Sequence, residues 1–260
     1  MNWLFWVIVA FIIFNIFMGG RKGFFKTAIS MVFLILVLML ASLLNPHVAR
    51  FLREGTPIYD GVHSKCEAVM MGYLRNEAES QISEEEKEAL LARGISEEEI
   101  EAQLRQADVP EDMQTNILRE LPLPEVIKSN IIDNNTGDVY ELLGVDKFVD
   151  YVASYIAHSI INGIAFLLSF TLAIIIVKVA LYAINILTTI PGISFINSVG
   201  GMLLGGAMAI LWVWVFFVVV TVLCNTAFGQ VLMKAIERDF LLSLLYDKNV
   251  FLPVIMGIFA

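Results

Sequence analysis

Cysteine and histidine are scarce in this 260-residue chain, which has two of the first (Cys66, Cys224) and three of the second (His47, His63, His158). Two cysteines cannot build a metal site alone. The histidines lie far apart, and none stands in the His-Glu-x-x-His arrangement that holds zinc. There is no Gly-x-Ser-x-Gly elbow, no glycine-rich phosphate loop ending in Lys-Ser or Lys-Thr, and no dinucleotide fingerprint. Neither enzymatic activity nor a cofactor or metal is expected. With a formal net charge of −9, the chain is not expected to bind nucleic acid.

Acid is missing from most of the chain as well. Of 26 Asp and Glu residues, 23 lie between Asn45 and Ala157, together with 10 of the 17 Lys and Arg. That segment has 10 bases against 23 acids, a net of −13, and the rest has 7 bases against 3 acids, a net of +4. One water-soluble core gives no reason to sort charge this way. A membrane protein that holds one acidic segment outside the bilayer does.

The remaining residues are unusually apolar. Hydrophobic residues make up 58% of the chain, and the mean hydropathy is +0.74. Four runs approach or reach the length needed to cross about 30 Å of hydrocarbon at about 1.5 Å per helical residue. They are Trp3–Met18, the shortest, then Phe24–Leu44, His158–Val177 and Val199–Cys224, and none contains Asp or Glu. Backbone groups in lipid need internal partners, so apolar runs without alternation are helices rather than barrel strands. The expected fold is an all-α membrane protein with four transmembrane helices and a helical extracytoplasmic insertion between helices 2 and 3. Residues 1–45 hold helices 1 and 2, 46–157 the acidic insertion, 158–225 helices 3 and 4, and 226–260 an amphipathic tail.

The N-terminus differs from a secretory signal, whose positive charges precede the apolar core. Here Arg21, Lys22 and Lys26 follow it, and no Ala-x-Ala cleavage site comes after. It reads as a retained first helix with its N-terminus translocated and the basic turn in the cytoplasm. Alternation then puts the acidic segment and the tail outside, and the uncharged turn at 191–198 inside. Both cysteines fall on the outer side, so a disulfide between them stays open, since spacing shows no geometry.

In the insertion, Ser83-Glu84-Glu85-Glu86 and Ser96-Glu97-Glu98-Glu99 each place an N-cap before acids in the first helical turn, and Gly94 closes the first helix, predicting a helical hairpin. Their consecutive glutamates point in different directions and lack the spacing that wraps a calcium ion. Prolines 110, 122 and 124 predict shorter helices over 111–121 and 124–132, with a loop at 133–137. From Lys147 an amphipathic pattern (Phe148, Val149, Val152, Tyr155, Ile156) runs into the third span. The core of this segment looks small, so it is expected to pack on membrane helices or on a partner. Gln230 to Tyr246 predicts one amphipathic helix in the headgroup plane.

The two membrane turns are the most specific features. Gly20, Arg21, Lys22, Gly23 and Phe24 combine backbone freedom with cations for anionic headgroups. Asn197 precedes a small-residue stripe, Gly201, Gly205 and Ala209, which lets another helix dock closely. Asn15, His158, Asn162 and Lys178 are polar groups in or at the ends of spans, where lipid makes them costly. Hydrogen bonds between helices would account for them, and so would a hydrated path for a small solute.

Taken together, Gly20-Arg21-Lys22-Gly23-Phe24-Phe25-Lys26 and Asn197-Ser198-Val199 with Gly201 and Gly205 resemble the two signatures of the colicin V production protein (CvpA) family. The ending Asn249-x-x-Leu252-Pro253 is similar to the way such proteins finish. The resemblance covers about 150 residues at the two ends of the chain and leaves out the acidic insertion. Ser198 stands where the family often has Arg, and Thr27 where an acid often follows, leaving open whether the turns keep a polar contact. The resemblance implies a multi-pass protein of the bacterial cytoplasmic (inner) membrane, linked to colicin V production or export or to envelope homeostasis, and it agrees with the C-terminus outside; the charge pattern puts the N-terminus outside as well.

Two functional expectations follow. One is a non-catalytic membrane scaffold that meets the lipid bilayer and, through 46–157, a membrane or extracytoplasmic protein partner. The alternative is a homo-oligomeric channel or transporter component, with the glycine stripe of helix 4 as the subunit contact.

Overall fold

The computed structural model of the chain describes residues 2–81, 109–121, 123–183, 195–224 and 226–256, and among these the regular structure is helix, with no strand. Helix α1 (Trp3–Lys22) is separated from α2 (Phe24–Glu54) by Gly23 alone. Then come α3 (Ile58–Gln81), α4 (Glu111–Glu120), α5 (Glu125–Asp133) and α6 (Gly137–Leu143). The long helices α7 (Phe148–Ala183) and α8 (Phe195–Val222) precede the tail helices α9 (Ala227–Glu237), α10 (Phe240–Asp247) and α11 (Leu252–Met256).

Four stretches are long and apolar enough to cross a membrane: Trp3–Lys22, Phe24–Glu54, Phe148–Ala180 and Asn197–Val222. The number matches the sequence expectation, while the ends move. α1 stays helical through Arg21 and Lys22 because Gly23, at φ 78°, makes the reversal, its N–H donating to the Gly19 carbonyl at 2.9 Å. α2 runs ten residues past Leu44 with Pro46 inside it, giving up the one bond that a proline N–H cannot make to Ser42. The hairpin expected over 83–94 and beyond, and the first half of the turn at 191–198, lie outside the described residues.

The chain forms two compact units, one made of 1–52 with 161–260 and the other of 53–160. In the first, α1 packs along α8, α9 lies on both, and α10 lies on α8 and α9. The outward faces carry large exposed apolar side chains such as Trp3, Trp6, Phe14, Leu43, Val179 and Leu203, as lipid-facing helices require.

The tail differs from the single helix expected. The chain breaks at Arg238 and Asp239, where the Asp239 carboxylate accepts from the Leu241 and Leu242 amides (3.2 and 3.4 Å) and so caps α10. Leu232, Met233, Ile236, Leu242, Tyr246, Leu252 and Ile255 are all buried. Side chains then tie the tail to backbone carbonyls. Asn2 donates to Ala235, Trp214 Nε1 to Leu245 (3.0 Å), and Asn249 to Trp214 (3.0 Å). Tyr246 and Thr221 share a buried bond of 2.7 Å, and since Thr221 donates to Phe217, Tyr246 is the donor.

The 53–160 unit has a larger core than its sequence suggested. Cys66, Met70, Met71 and Leu74 of α3 are buried, as are Ile117 and Leu118 of α4, Ile127 and Ile131 of α5, and Val139 of α6. The physical reason is α7, whose residues 148–157 are buried almost all round except for half-buried Asp150, so they form a central helix here rather than a thin amphipathic lead-in. The Tyr151 hydroxyl donates to the Ile131 carbonyl at 2.7 Å, and its ring stacks on Tyr140 at 4.7 Å. α6 itself was not foreseen, and α5 runs one residue beyond the expected 132 to end at Asp133.

Burial above all pushes the Tyr246 phenol above its ordinary value of 10, with Cys224, Asp247 and Glu237 adding to the rise against the Thr221 hydrogen bond. The folded chain keeps this proton where the unfolded chain has lost it. Its contribution is therefore complete below pH 10 and declines as the pH rises further. Tyr246→Phe is expected to cost about 1 kcal/mol at neutral pH through the lost hydrogen bond. The same change should flatten the alkaline fall in thermal midpoint, measured in detergent across both ranges.

Candidate functional site

Gly19 on α1, with Gly201 and Gly205 one turn apart on α8, leaves backbone where other helices present side chains. A Cβ on Gly201 would strike the carbonyl oxygen of Gly19 and come 2.9 Å from the Gly23 carbonyl carbon. One on Gly205 would strike the Asn15 carbonyl oxygen, 3.2 Å from the Gly19 Cα, and one on Gly19 would strike the Gly201 oxygen. Each of these α-carbons thus turns a C–H toward a carbonyl across the seam, a weak bond repeated along the helix. Gly20 and Gly200 meet side chains instead, with Met202 Cγ and Phe24 Cδ2 each 2.8 Å from where a Cβ would sit.

Polar groups latch the end of this seam. Ser198 Oγ donates to the Gly20 carbonyl at 3.0 Å, and the Asn197 side-chain oxygen accepts from the Phe25 amide at 3.4 Å. Thr27 Oγ1 reaches the Gly23 and Gly19 carbonyls at 2.8 and 3.3 Å. The last carbonyls of a helix lack the amides of a following turn; here the Gly20 carbonyl is satisfied by Ser198, and the Gly19 carbonyl accepts from the Gly23 N–H with Thr27 as a second donor. A polar contact between the turns therefore survives at Ser198, one of the two positions that depart from the family pattern, while the Thr27 hydroxyl bonds within the first turn. Sequence marked Thr27 and Ser198 only as departures from the family pattern and not as site residues, though a threonine four residues after a turn glycine is a recognisable back-bonding signal.

The seam gathers Gly20, Gly23, Phe24, Asn197, Gly201 and Gly205 from the residues chosen by sequence. Buried Ala209 lies two turns of α8 beyond Gly201. Gly201 and Gly205 are covered by α1 of their own chain, which corrects the expectation that this stripe serves as a contact between copies. Asn15 contributes its backbone, while its side chain closes on the Phe11 carbonyl at 2.9 Å. Arg21 and Lys22 project outward, the Arg21 guanidinium 5.8 Å from the centre of the Phe17 ring.

The other polar residues have separate partners. Asn162 is buried and donates to the Ile255 carbonyl at 3.1 Å, while Lys178 is exposed. His158, in the 53–160 unit, has Nδ1 at 2.9 Å from the Ser154 carbonyl, so that nitrogen carries the proton, with the Tyr59 hydroxyl at 3.2 Å. His63 Nε2 lies 3.0 Å from Ser154 Oγ in the same group. Burial, more than any neighbour, raises the Tyr59 phenol above its ordinary value. Among the described residues no three His, Cys, Asp or Glu side chains gather as metal ligands, and Cys66 and Cys224 are buried, neither in a disulfide.

Residues 141–244 match the family model described as Colicin V production protein. The match begins in α6, takes in α7, α8 and α9, and ends in α10; it includes the second turn signature and leaves out the first. No curated protein and no solved structure matches the chain.

Because its Cβ would meet backbone rather than a movable side chain, Gly201→Ala or Gly205→Ala is expected to destabilise by about 1–3 kcal/mol or more. Gly72, inside α3 with nothing within 4 Å of a Cβ, should behave in the opposite way. Gly72→Ala is expected to stabilise by about 0.5–1 kcal/mol through helix propensity. Thermal unfolding of the three variants in one detergent separates these signs.

Proposed function

We propose, from the match of residues 141–244 to the Colicin V production protein family model, that this chain is a member of that family and a non-catalytic scaffold for toxin production or export, or for envelope maintenance. The supporting observation is the seam between α1 and α8, which closes backbone on backbone with no ionisable side chain in it. Such a joint suits a rigid support better than a hydrated path. The buried polar groups Asn162, Thr221 and Asn249 each bond to a backbone carbonyl or a neighbouring hydroxyl, as structural polar groups in lipid do.

The 53–160 unit is the proposed partner surface. It has a core of its own and exposes Glu120, Asp138 and Glu141, carboxylates suited to a basic face on an extracytoplasmic or membrane protein. The charge pattern favours the bacterial cytoplasmic membrane with Arg21, Lys22 and Lys26 inside and both termini outside.

Toxin release from cells carrying this chain as their only copy tests the reading. Reversing Glu120, Asp138 and Glu141 to lysine is expected to lower release several-fold, while Asn15→Leu and Lys178→Gln leave it unchanged. The reverse pattern would instead favour a conducting role. Orientation is checked with an impermeant maleimide on intact spheroplasts. Burial pushes the Cys66 thiol up to about 11, and Cys224 is buried, so the native cysteines stay silent. Glu141→Cys should label and Lys22→Cys should not; the opposite result inverts the topology.

A further inference from the structure

From the charges gathered where α1, α2 and α8 meet, we infer that the α1–α2 turn is a binding site for the phosphate of an anionic phospholipid headgroup. Arg21, Lys22 and Lys26 are all exposed within six residues, and among the described residues no carboxylate pairs with them. The whole unit made of 1–52 and 161–260 has three side-chain carboxylates, Glu237, Asp239 and Asp247, all in the tail. The tail packs at the far end of α1, where Asn2 donates to Ala235. At about 1.5 Å per residue, Arg21 lies roughly 28 Å along the axis from there, well beyond the screening length of about 8–10 Å. Within this unit, no side-chain carboxylate lies near the cations at the turn.

Backbone adds to this field. The bonds from Asn197 and Ser198 to Phe25 and Gly20 set the first turn of α8 beside the first turn of α2. Two helix N-termini, each with a positive dipole end, therefore converge on the three cations. The opposing negative end of α1 is muted, because its Gly19 and Gly20 carbonyls already accept from Gly23, Thr27 and Ser198.

The geometry favours a lipid over a free anion. Phe14, Phe17, Phe24 and Phe25 are exposed on the spans that flank the turn, an apolar surface for acyl chains directly beside the charges. The Arg21 guanidinium against Phe17 links the two surfaces. Gly23 and the hydroxyl latch hold the turn in one shape, so the cations are presented together rather than on a loose loop. This inference does not depend on the scaffold role or on which side of the membrane the turn faces.

The test uses full-length protein in neutral detergent, offered equal amounts of phosphatidylglycerol and phosphatidylcholine, with bound lipid counted by native mass spectrometry. Wild type is expected to prefer the anionic lipid by about fivefold for each cation engaged. R21Q/K22Q/K26Q should abolish the preference, and K234Q/K248Q, at the other end of the bundle, should keep it. K22Q/K26Q is expected to fall between, and it serves in place of the triple variant if that fails to fold. Equal retention of both lipids by wild type, or a preference untouched by loss of the turn charges, overturns the inference. In a second arm inorganic phosphate replaces lipid. Thermal stabilisation by phosphate as large as that by phosphatidylglycerol would make soluble phosphate the ligand and overturn the lipid assignment, whereas stabilisation by lipid alone supports it.

Discussion

Lipid tails are as apolar as leucine, so two helices in a bilayer gain little by hiding apolar surface from each other. What remains is how near their backbones come. Gly19 against Gly201, and Asn15 against Gly205, bring α1 and α8 to direct backbone contact, and the rest of the membrane unit is arranged around that seam. The turn at Gly23, the latch of Thr27, Asn197 and Ser198, and the seating of α9 across α1 and α8 all presuppose it.

The same economy governs polar groups. Each amide or hydroxyl placed in the membrane unit tends to end on a backbone carbonyl that helix geometry would leave open, or on one it shares. Asn2, Asn162, Trp214 and Asn249 act in this way and fasten a tail whose own helices have 11, 8 and 5 residues, too short to persist alone. Two atoms stand apart, Asn45 Oδ1 and Ser169 Oγ, which are buried without a partner among the described residues, and the structure offers no physical account of them.

The four spans were legible because uninterrupted apolar length is the strongest signal a membrane sequence carries. The glycine stripe was legible too, as a surface for close docking. Its partner was not, because small-residue spacing marks a face without saying which helix fills it. The turn was placed over several residues since nothing in Gly19-Gly20-Arg21-Lys22-Gly23 announces that only the last glycine takes positive φ. The tail break was hidden for a related reason. Leucines at helical spacing run on through 230–246, and they outweighed one aspartate that works as a cap. For the start of α7, the apolar spacing was legible, but burial on every side is a tertiary effect, with partners on α3, α5 and α6, which local pattern cannot reveal.

Gly23 has a consequence for how the protein is made. With one residue between them, α1 and α2 cannot enter the bilayer independently and must insert as a hairpin. The helix that α1 is shaped to receive begins only at Phe195, after the whole 53–160 unit has been synthesised. Until then the glycine face of α1 stands open to lipid. The tightest joint in the bundle is thus among the last to close, and a chain stalled before α8 would expose a helix-binding groove that the finished protein conceals.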